Sequence, residues 1–577
     1  MLNDSQVHSV KSAISDVGFQ VQTDLLSFRQ PRNPEDGDVA LLCFEIAQQL
    51  SKPVQEVAHT IAKTISESKK FAEAKADGGY VNITLLSTDL FPNALQSVSE
   101  GPAKVAKPDR IMVEYLSPNT NKPLHLGHLR NGVLGVSLSR VLRAVGHTVV
   151  PSMLVNDRGA HICKSMLAWK RFMSGETPES TDKKPDHFVG DCYVRYNEEA
   201  KKDPSLENDV AKLLQLWEAG DPETMDTWNI LNDWVYEGFK TTLDDFGFDF
   251  DIWYYESHTY TLGKDIIEEG LSRGVFEKFE DGAVVFRLKK DVFGLREDKT
   301  EGVAAVLRAD GTSVYLTQDI GTAVVKAEDY DLNRSIYVVA CEQNHHFKVL
   351  FEILKQLDYS WATMCYHLSY EMVELPDGRM KSREGTVVDA DTLLDEMTLL
   401  AEKELAERDG TASLDGGEQK RRARIIALSA IKFYLLRYKP QKKVKFDPER
   451  SVSLTGDTGP YCLYSYARAR SILKNQAKFV GVIDLDVLGN PEERNVATRL
   501  LFLAASIEKS AEEYDTSLLA QEVLELAKSF NRFYAKCPVL REPNAKLKSA
   551  RLVLVDTVGQ ALAKSLGLLG IEVLEEM

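Results

Sequence analysis

The chain has 577 residues, 44% hydrophobic and 27% charged, with 70 Lys and Arg against 87 Asp and Glu for a net charge of −17. At about 150 residues per domain this length predicts three to four domains, with apolar material for several cores. No run of about 18 apolar residues occurs, and the opening Met-Leu-Asn-Asp-Ser-Gln lacks the basic-then-apolar order of a leader, so the expectation is a soluble cytoplasmic protein with no membrane partner.

The cysteines at positions 43, 163, 192, 341, 365, 462 and 537 are odd in number and scattered, with no Cys-x-x-Cys pair for zinc or redox work. They read as small buried residues in a reducing compartment. The acidic balance argues against a nucleic-acid partner, because phosphate contacts need Lys and Arg. Local clustering reverses that inference. Between Lys420 and Lys445 there are ten Lys or Arg and no Asp or Glu, with Phe433, Tyr434 and Tyr438 interleaved, while acidic residues concentrate between Glu198 and Glu301.

In chain order, residues 1–105 alternate amphipathic helical runs such as Val54 to Ser68 with short strands ending at Gly79 to Leu85, a small α+β unit with turns at Asp36-Gly37-Asp38 and Gly79. Next, Ile111, Val113 and Tyr115 alternate as one face of a strand. Pro118 and Pro123 bar a helix, and Leu129, Val133, Val136, Val141, Leu142 and Val145 recur at helical spacing up to Gly146. His125, Gly127 and His128 therefore fall on a first helical turn. There free backbone N–H groups and the helix dipole favour an anion, and the imidazoles can donate to phosphate oxygens, as a nucleoside triphosphate requires.

Thr148 to Val155 is a second strand ending in Asn156-Asp157, where open α/β sheets place ligand groups. The predicted fold is α/β, a doubly wound nucleotide-binding sheet split by an insertion. That insertion, residues 160 to about 300, reads as helical over Ile162 to Phe172, Asp209 to Trp217 and Asp226 to Phe246, and as too far from the phosphate-binding signature to bear on ATP chemistry. It includes the aromatic run Phe248 to Ser257. Val303 to Leu307 reads as a strand and Val314 to Thr317 as a strand returning the chain to the sheet. Tyr315 and Asp319 share a face if a helix has begun. Ser335 to Ala340 is a buried strand with Gln343, His345 and His346 at its carboxyl end, where no acidic or cysteine partner makes the histidines metal ligands. Ala390 to Leu436 is helical, and a helical bundle follows from Gly456, with Arg541, Lys546, Lys548 and Arg551 on it; a dimerisation domain is the alternative reading of such a bundle.

The block Ser-Pro-Asn-x-x-Lys-Pro-Leu-His-Leu-Gly-His-Leu-Arg, residues 117–130, resembles the HIGH motif of class I aminoacyl-tRNA synthetases, and the arginyl family in particular. Pro376 to Val388 resembles the second class I signature, KMSKS. Aligned on Met380 and Gly385, its second lysine falls on Ser382 while Lys381 stands one place earlier, and Lys122 is the candidate to replace the missing charge. Thr458 to Arg468 resembles the opening of the arginyl anticodon-binding domain, with Leu463 and Tyr466 where Gln and His are usual.

The resemblance implies an amino-terminal domain on the tRNA elbow (1–105), a catalytic Rossmann-type domain in two halves (106–160 and 303–390), the insertion (161–302), a helical stem (391–450) and an all-α anticodon-binding domain (451–577). It implies catalytic His125, His128, Lys122 and Lys381, and ATP contacts from Pro123, Leu126, Gly127, His345, Met380 and Ser382. Arginine contacts would come from Ser117, Asn119, Glu256, Tyr315, Asp319 and Gln343, and tRNA contacts from Lys439, Lys442, Lys443, Tyr461 and Arg468. The expected partners are L-arginine, ATP with Mg²⁺ and tRNA(Arg), with no resident metal, no editing domain and a monomeric chain. Rival readings are another class I synthetase, a non-catalytic tRNA-binding paralogue, or a small-substrate nucleotidyltransferase, which leaves the basic bundle unexplained.

Overall fold

The structure is a computed structural model that describes residues 4–15, 26–31, 33–294, 301–376, 388–406, 415–474 and 483–577. The chain forms two compact units. One comprises residues 1–104, 398–437 and 448–577, the other residues 105–397 and 438–447.

The second unit is built on a five-stranded sheet of β1 (Arg110–Glu114), β2 (Thr148–Val155), β3 (Ile252–Tyr255), β4 (Arg334–Ala340) and β5 (Cys365–Tyr370), in the spatial order 5-4-1-2-3. Every pairing is parallel, with Arg110 opposite Thr148, Ile111 opposite Arg334, Ser152 opposite Ile252 and Ser335 opposite Cys365. The order reverses beside β1, so the crevice outside the carboxyl ends of β1 and β4 is the topological switch point where such sheets bind ligands. Strand β3 falls in the stretch read as insertion, so the chain rejoins the sheet at Ile252. Before it come the helices Ala160–Phe172, Pro185–Lys202, Leu206–Glu218 and Pro222–Phe246.

Two local readings are corrected. Val314 to Thr317 is not a strand, because helix Tyr315–Tyr330 has already begun there, with the Thr317 hydroxyl accepting the Val314 N–H at 3.1 Å. The neighbouring strand Gly302–Leu307 does not return to the parallel sheet. It joins Val284–Leu288 and Glu277–Lys278 in a separate antiparallel sheet whose apolar face packs Val284, Phe286 and Val306 against Ile320 and Val324.

The helix Leu126–Ala144 is buried nearly all round, including its polar Arg130, Asn131, Ser137 and Ser139. Arg130 has no exposed surface. Its guanidinium donates to the carbonyls of Glu371 (2.6 Å), Met372 (3.3 Å), Lys439 (3.4 Å), Pro440 (3.0 Å) and Lys442 (2.8 Å), and burial lowers its pKa to about 10, still charged at neutral pH. One planar cation thereby ties this helix to the two segments that lead into the small paired strands Val373–Glu374 and Val444–Lys445.

In the first unit, strands Ser27–Arg29, Val39–Leu42, Tyr80–Thr84 and Glu73–Asp77 form an antiparallel sheet in that spatial order. Helix Val54–Glu67 carries Val57, Ala58, Ile61, Ala62 and Ile65 at helical spacing and buries them all. The unit also contains the helices Gly416–Leu436, Gly459–Lys474, Pro491–Glu513, Ser517–Lys536 and Ala545–Leu568. Buried Asp38 joins its two parts, accepting the Leu85 N–H at 2.7 Å, the Thr498 hydroxyl at 3.3 Å and the Arg494 guanidinium. Burial raises the Asp38 pKa and Arg494 opposes the rise.

Replacing Arg130 by Met would leave buried carbonyls without their charged donor. Arg130→Met is expected to lower stability by about 3–5 kcal/mol, the cost of breaking a buried charged network from one side. Urea unfolding followed by circular dichroism checks this, and an unchanged midpoint would refute the clamp.

Candidate active site

The site begins where β1 stops. Leu116 and Ser117 have φ of +80° and +38°, a region costly for residues with a Cβ, by about 1–3 kcal/mol each. Asn131 holds the bend: its Oδ1 accepts the Leu116 N–H at 2.6 Å, and its amide donates to Val338 O at 2.8 Å and the Tyr370 hydroxyl at 3.2 Å. Redirected in this way, the chain runs across the end of β2, with Asn119 bridged to Asn156, Thr120 N–H donating to Asn156 O at 3.1 Å, and the Asn156 side chain donating to Ser117 O at 3.1 Å.

The histidine turn differs from its expected form. The N–H groups of His125, Leu126 and Gly127 are not free for an anion. They donate to His128 Nδ1 (3.1 Å), Val388 O (3.1 Å) and His125 Nδ1 (3.2 Å). The two rings stack with centroids 3.8 Å apart. Because each Nδ1 accepts a backbone N–H, each neutral imidazole carries its proton on Nε2 and can donate only there. Burial, reinforced by Lys122, lowers the His125 pKa to about 4, and burial lowers that of His128 well below the usual range. Both rings are neutral donors at pH 7. The side chain of Leu126 is buried and its N–H donates to Val388 O.

The turn is held from two sides. Leu126 N–H and Ala390 N–H exchange backbone bonds with Val388 O (3.1 Å) and Leu124 O (2.8 Å), bracketing a bridge between His125 and Asp389. Helix Pro185–Lys202 lies so close that a Cβ on Gly190 would stand 2.9 Å from Pro123 Cδ. The expectation that the insertion is remote from the phosphate-binding signature is therefore corrected. Asp391, just beyond the bridge, accepts from Lys184 Nζ (2.7 Å), His187 Nε2 (2.8 Å) and Thr242 Oγ1 (3.0 Å). Burial pushes its pKa up, but the bonds from His187 and Lys184 outweigh that and hold it at about 2. Asp186, His187 and Asp391 have the spacing of metal ligands, but the Lys184 ammonium bonds both carboxylates and supplies the cation itself. Lys122 is half-buried, with its pKa lowered by burial, and among the described residues its ammonium has no carboxylate partner.

Across the crevice, Glu256 is the first residue of helix Glu256–Thr259, directly after β3, and Asp319 lies one turn into Tyr315–Tyr330. That helix is anchored to β1 by the buried ion pair of Lys326 with Glu114. Asp319 Oδ2 bonds His346 Nε2 at 2.6 Å. The Glu256 pKa is raised to about 7, chiefly by burial, with Arg158 opposing and Asp157 and Asp319 adding to the rise. Among the described residues neither Glu256 nor Asp319 has a Lys or Arg ion-pair partner. Tyr315 is on the Asp319 helix but 74% exposed, and Gln343 and His345 are exposed at the end of β4.

The structure thus brings together Ser117, Asn119, Lys122, Pro123, His125, Gly127, His128, Glu256 and Asp319 along the carboxyl edge of one sheet. Met380, Lys381 and Ser382 lie outside the described residues. Of the expected tRNA contacts, Lys439, Lys442 and Lys443 are in the second unit, where Lys443 pairs with Glu374 and Lys442 Nζ lies 4.6 Å from the Tyr438 ring. Tyr461 and Arg468 are in the first, the Arg468 guanidinium standing 4.7 and 5.2 Å from the rings of Tyr464 and Tyr534. Sequence reasoning marked Asp157 only as part of a ligand-bearing strand end, and it missed Tyr236, Gly190 and Asp391, none of which lies in a recognisable motif with its partners.

Comparison with known proteins identifies the family. The family model for tRNA synthetases class I (R), catalytic domain, matches residues 91–447, the DALR anticodon binding domain matches 462–577, and the arginyl tRNA synthetase N terminal domain matches 6–85. Arginine–tRNA ligases of Parabacteroides distasonis (39% identical, 97% of each chain) and Treponema denticola (41%, 97% of this chain and 96% of the relative) align nearly end to end. Thermus thermophilus arginyl-tRNA synthetase superposes over 100% of both chains with a TM-score of 0.84 at 27% identity. The Plasmodium falciparum arginyl-tRNA synthetase shares the fold at 0.77 and 19%, over 99% of this chain and 98% of its own. The chain belongs to the arginyl-tRNA synthetase family of class I.

Proposed function

We propose that this chain activates L-arginine with ATP, forming arginyl-adenylate and pyrophosphate, and then transfers arginine to the terminal ribose of tRNA(Arg). What supports this reading is that one sheet edge carries two opposite kinds of group: two neutral imidazoles with only Nε2–H to offer after β1, and Glu256 after β3 with Asp319 on the neighbouring helix, which lack a Lys or Arg ion-pair partner among the described residues. The first suits phosphate oxygens and the second a guanidinium, which carboxylates grip in a two-point fork.

Activation is an in-line attack of the arginine carboxylate on the α-phosphorus, so the protein's part is positioning and charge compensation. Neutral Nε2 donors suit that task because they bond oxygens as charge builds without first losing a proton. Lys122, desolvated beside them, supplies the positive charge that Ser382 cannot. Pro123 and Gly127 give the nucleotide a close approach, and Ser117, Asn119 and Gln343 meet the α-amino end of arginine. ATP enters as its magnesium complex, the ion held by phosphate oxygens. The acid–histidine cluster at Asp391 does not fit a second ion, since Lys184 already bonds its carboxylates. The region 1–105 would contact the tRNA elbow and 451–577 the anticodon. Exchange of pyrophosphate with ATP, run with each amino acid in turn with and without tRNA, tests the whole reading. Exchange driven by a different amino acid would overturn it.

His125→Ala or His128→Ala should lower adenylate formation by about 10² or more, the scale of losing one preorganised donor, with the thermal midpoint little changed. Near wild-type exchange in both would remove the phosphates from this turn. Lys122→Ala should depress kcat for exchange by about 10² with the KM for arginine little changed, and Lys381→Ala should cost less. The reverse order would place the charge on Lys381. Asp319→Asn should raise the KM for arginine strongly. In the wild type that KM should also climb as pH falls below about 7, because Glu256 gains a proton there and loses the charge that attracts the guanidinium. A KM flat from pH 8 to pH 6 would separate Glu256 from the substrate.

A further inference from the structure

The buried anion least accounted for by the fold is Asp157, at the carboxyl end of β2, with 1% of its surface exposed. Its carboxylate accepts the Ser257 N–H at 2.8 Å, the Ser257 hydroxyl at 2.7 Å and the Tyr236 phenol at 2.9 Å, while its backbone carbonyl accepts the Trp228 indole N–H at 2.7 Å. All these donors are neutral. Among the described residues no Lys, Arg or His bonds this carboxylate. Burying an anion on neutral donors alone is costly, and such groups are ordinarily paired. A scaffold that needed only hydrogen bonds here would function with an uncharged acceptor, so the charge itself calls for a use.

Position supplies one. Asp157 grips Ser257, the residue after Glu256, and so fixes the first turn of the helix that Glu256 begins. Its charge also reaches Glu256, since it is one of the groups that make Glu256 harder to ionise. The other charged groups facing Glu256 are Arg158 from the same strand end and Asp319 from helix Tyr315–Tyr330. Arg158 is drawn towards Glu218 and lies 4.2 Å from the centre of the Tyr260 ring, and Asp319 is bonded to His346. Tyr236 and Tyr255 pack beside them as uncharged rings. Asp157 and Asp319 thus act on Glu256 from two different elements, and around a largely buried group such a field extends beyond hydrogen-bond range.

We propose that Asp157 is a specificity-determining residue of the arginine site, a charge set behind Glu256 that favours a cationic side chain over a neutral one of the same shape without touching it. The proposal rests on the reading of Glu256 as a guanidinium ligand.

The test is pyrophosphate exchange in the presence of tRNA, comparing arginine with its neutral ureido analogue citrulline from pH 6 to pH 9. Asp157→Asn should raise the KM for arginine about tenfold, leave kcat within about threefold, and reduce the preference for arginine over citrulline. It should also move the acidic rise in KM to lower pH, because Glu256 would ionise more easily without a neighbouring anion. A displaced loop could raise KM, but it would not move that limb downward. An unchanged KM, or a raised KM with the limb in place, overturns the proposal. Tyr236→Phe combined with Ser257→Ala removes two donors and keeps the charge, and should change KM by less than about threefold. A tenfold rise in that variant would assign the effect to scaffolding and equally overturn it, whether or not Asp157→Asn folds. Glu256→Gln separates the two levels: if it leaves the arginine KM unchanged the ligand reading itself fails, whereas if it raises KM and Asp157→Asn does not, only the role of Asp157 falls.

Discussion

An imidazole whose Nδ1 already accepts a backbone N–H has one proton to offer and one direction in which to offer it. Both site histidines are in that condition, and much of the catalytic unit can be read as what keeps them there. Each ring caps the turn that carries the other, so the turn cannot loosen without releasing both tautomers at once. Pairing of Leu124 and Leu126 with Val388 and Ala390 holds one side of the turn, and Gly190 lets a helix of the insertion close on the other. Arg130, one turn further along the same helix, fastens the residues that precede position 377, while Val388 and Ala390 are those that follow position 387. The described residues on either side of positions 377–387 are thus both held by the start of this one helix.

Such a site is built from polar groups placed where apolar ones would be easier to bury. Asn131 bridges β1 to β4 from inside the core, Glu114 and Lys326 pair within it, and Leu116 and Ser117 adopt backbone angles that most residues avoid. Each is tolerable only because neighbours satisfy it, and each directs a strand end or helix start towards the crevice. The helix Leu126–Ala144 shows the result: with Arg130, Asn131, Ser137 and Ser139 buried alongside its leucines and valines, it has no solvent face to speak of.

That helix also marks how far sequence reasoning reaches. Its position, the strands on either side of it, the helical character of the insertion and the membership of His125 and His128 in one turn were legible, because they depend on spacing and on local breakers such as Pro118 and Pro123. Features that depend on residues distant in the chain were not. Ile252 to Tyr255 is a short aromatic run whose role as an edge strand is decided by β2. Val314 to Thr317 has strand-forming composition, yet the Thr317 hydroxyl accepting the Val314 N–H starts a helix instead. The free N–H groups expected at the histidine turn vanish because the histidines themselves and Val388, more than 250 residues away in sequence, take them. The nearness of the insertion to the turn rests on the missing side chain of Gly190, and periodicity does not register an absent atom.

The basic stretch from Lys420 to Lys445 looks in sequence like a ribbon of open charge. In the fold much of it is spent internally: Arg421 and Arg422 share Glu418, Lys432 bonds Gly570 O, Arg437 bonds Asp457 O, and Lys443 pairs with Glu374. A polyanion meeting these surfaces displaces counterions only from cations not already neutralised by the protein. On the reading that these residues meet tRNA, the dependence of complex formation on ionic strength would report a number of phosphate contacts well below the ten that the composition suggests, and recognition would fall more heavily on shape and on stacking at rings such as Tyr464 and Tyr534 beside Arg468.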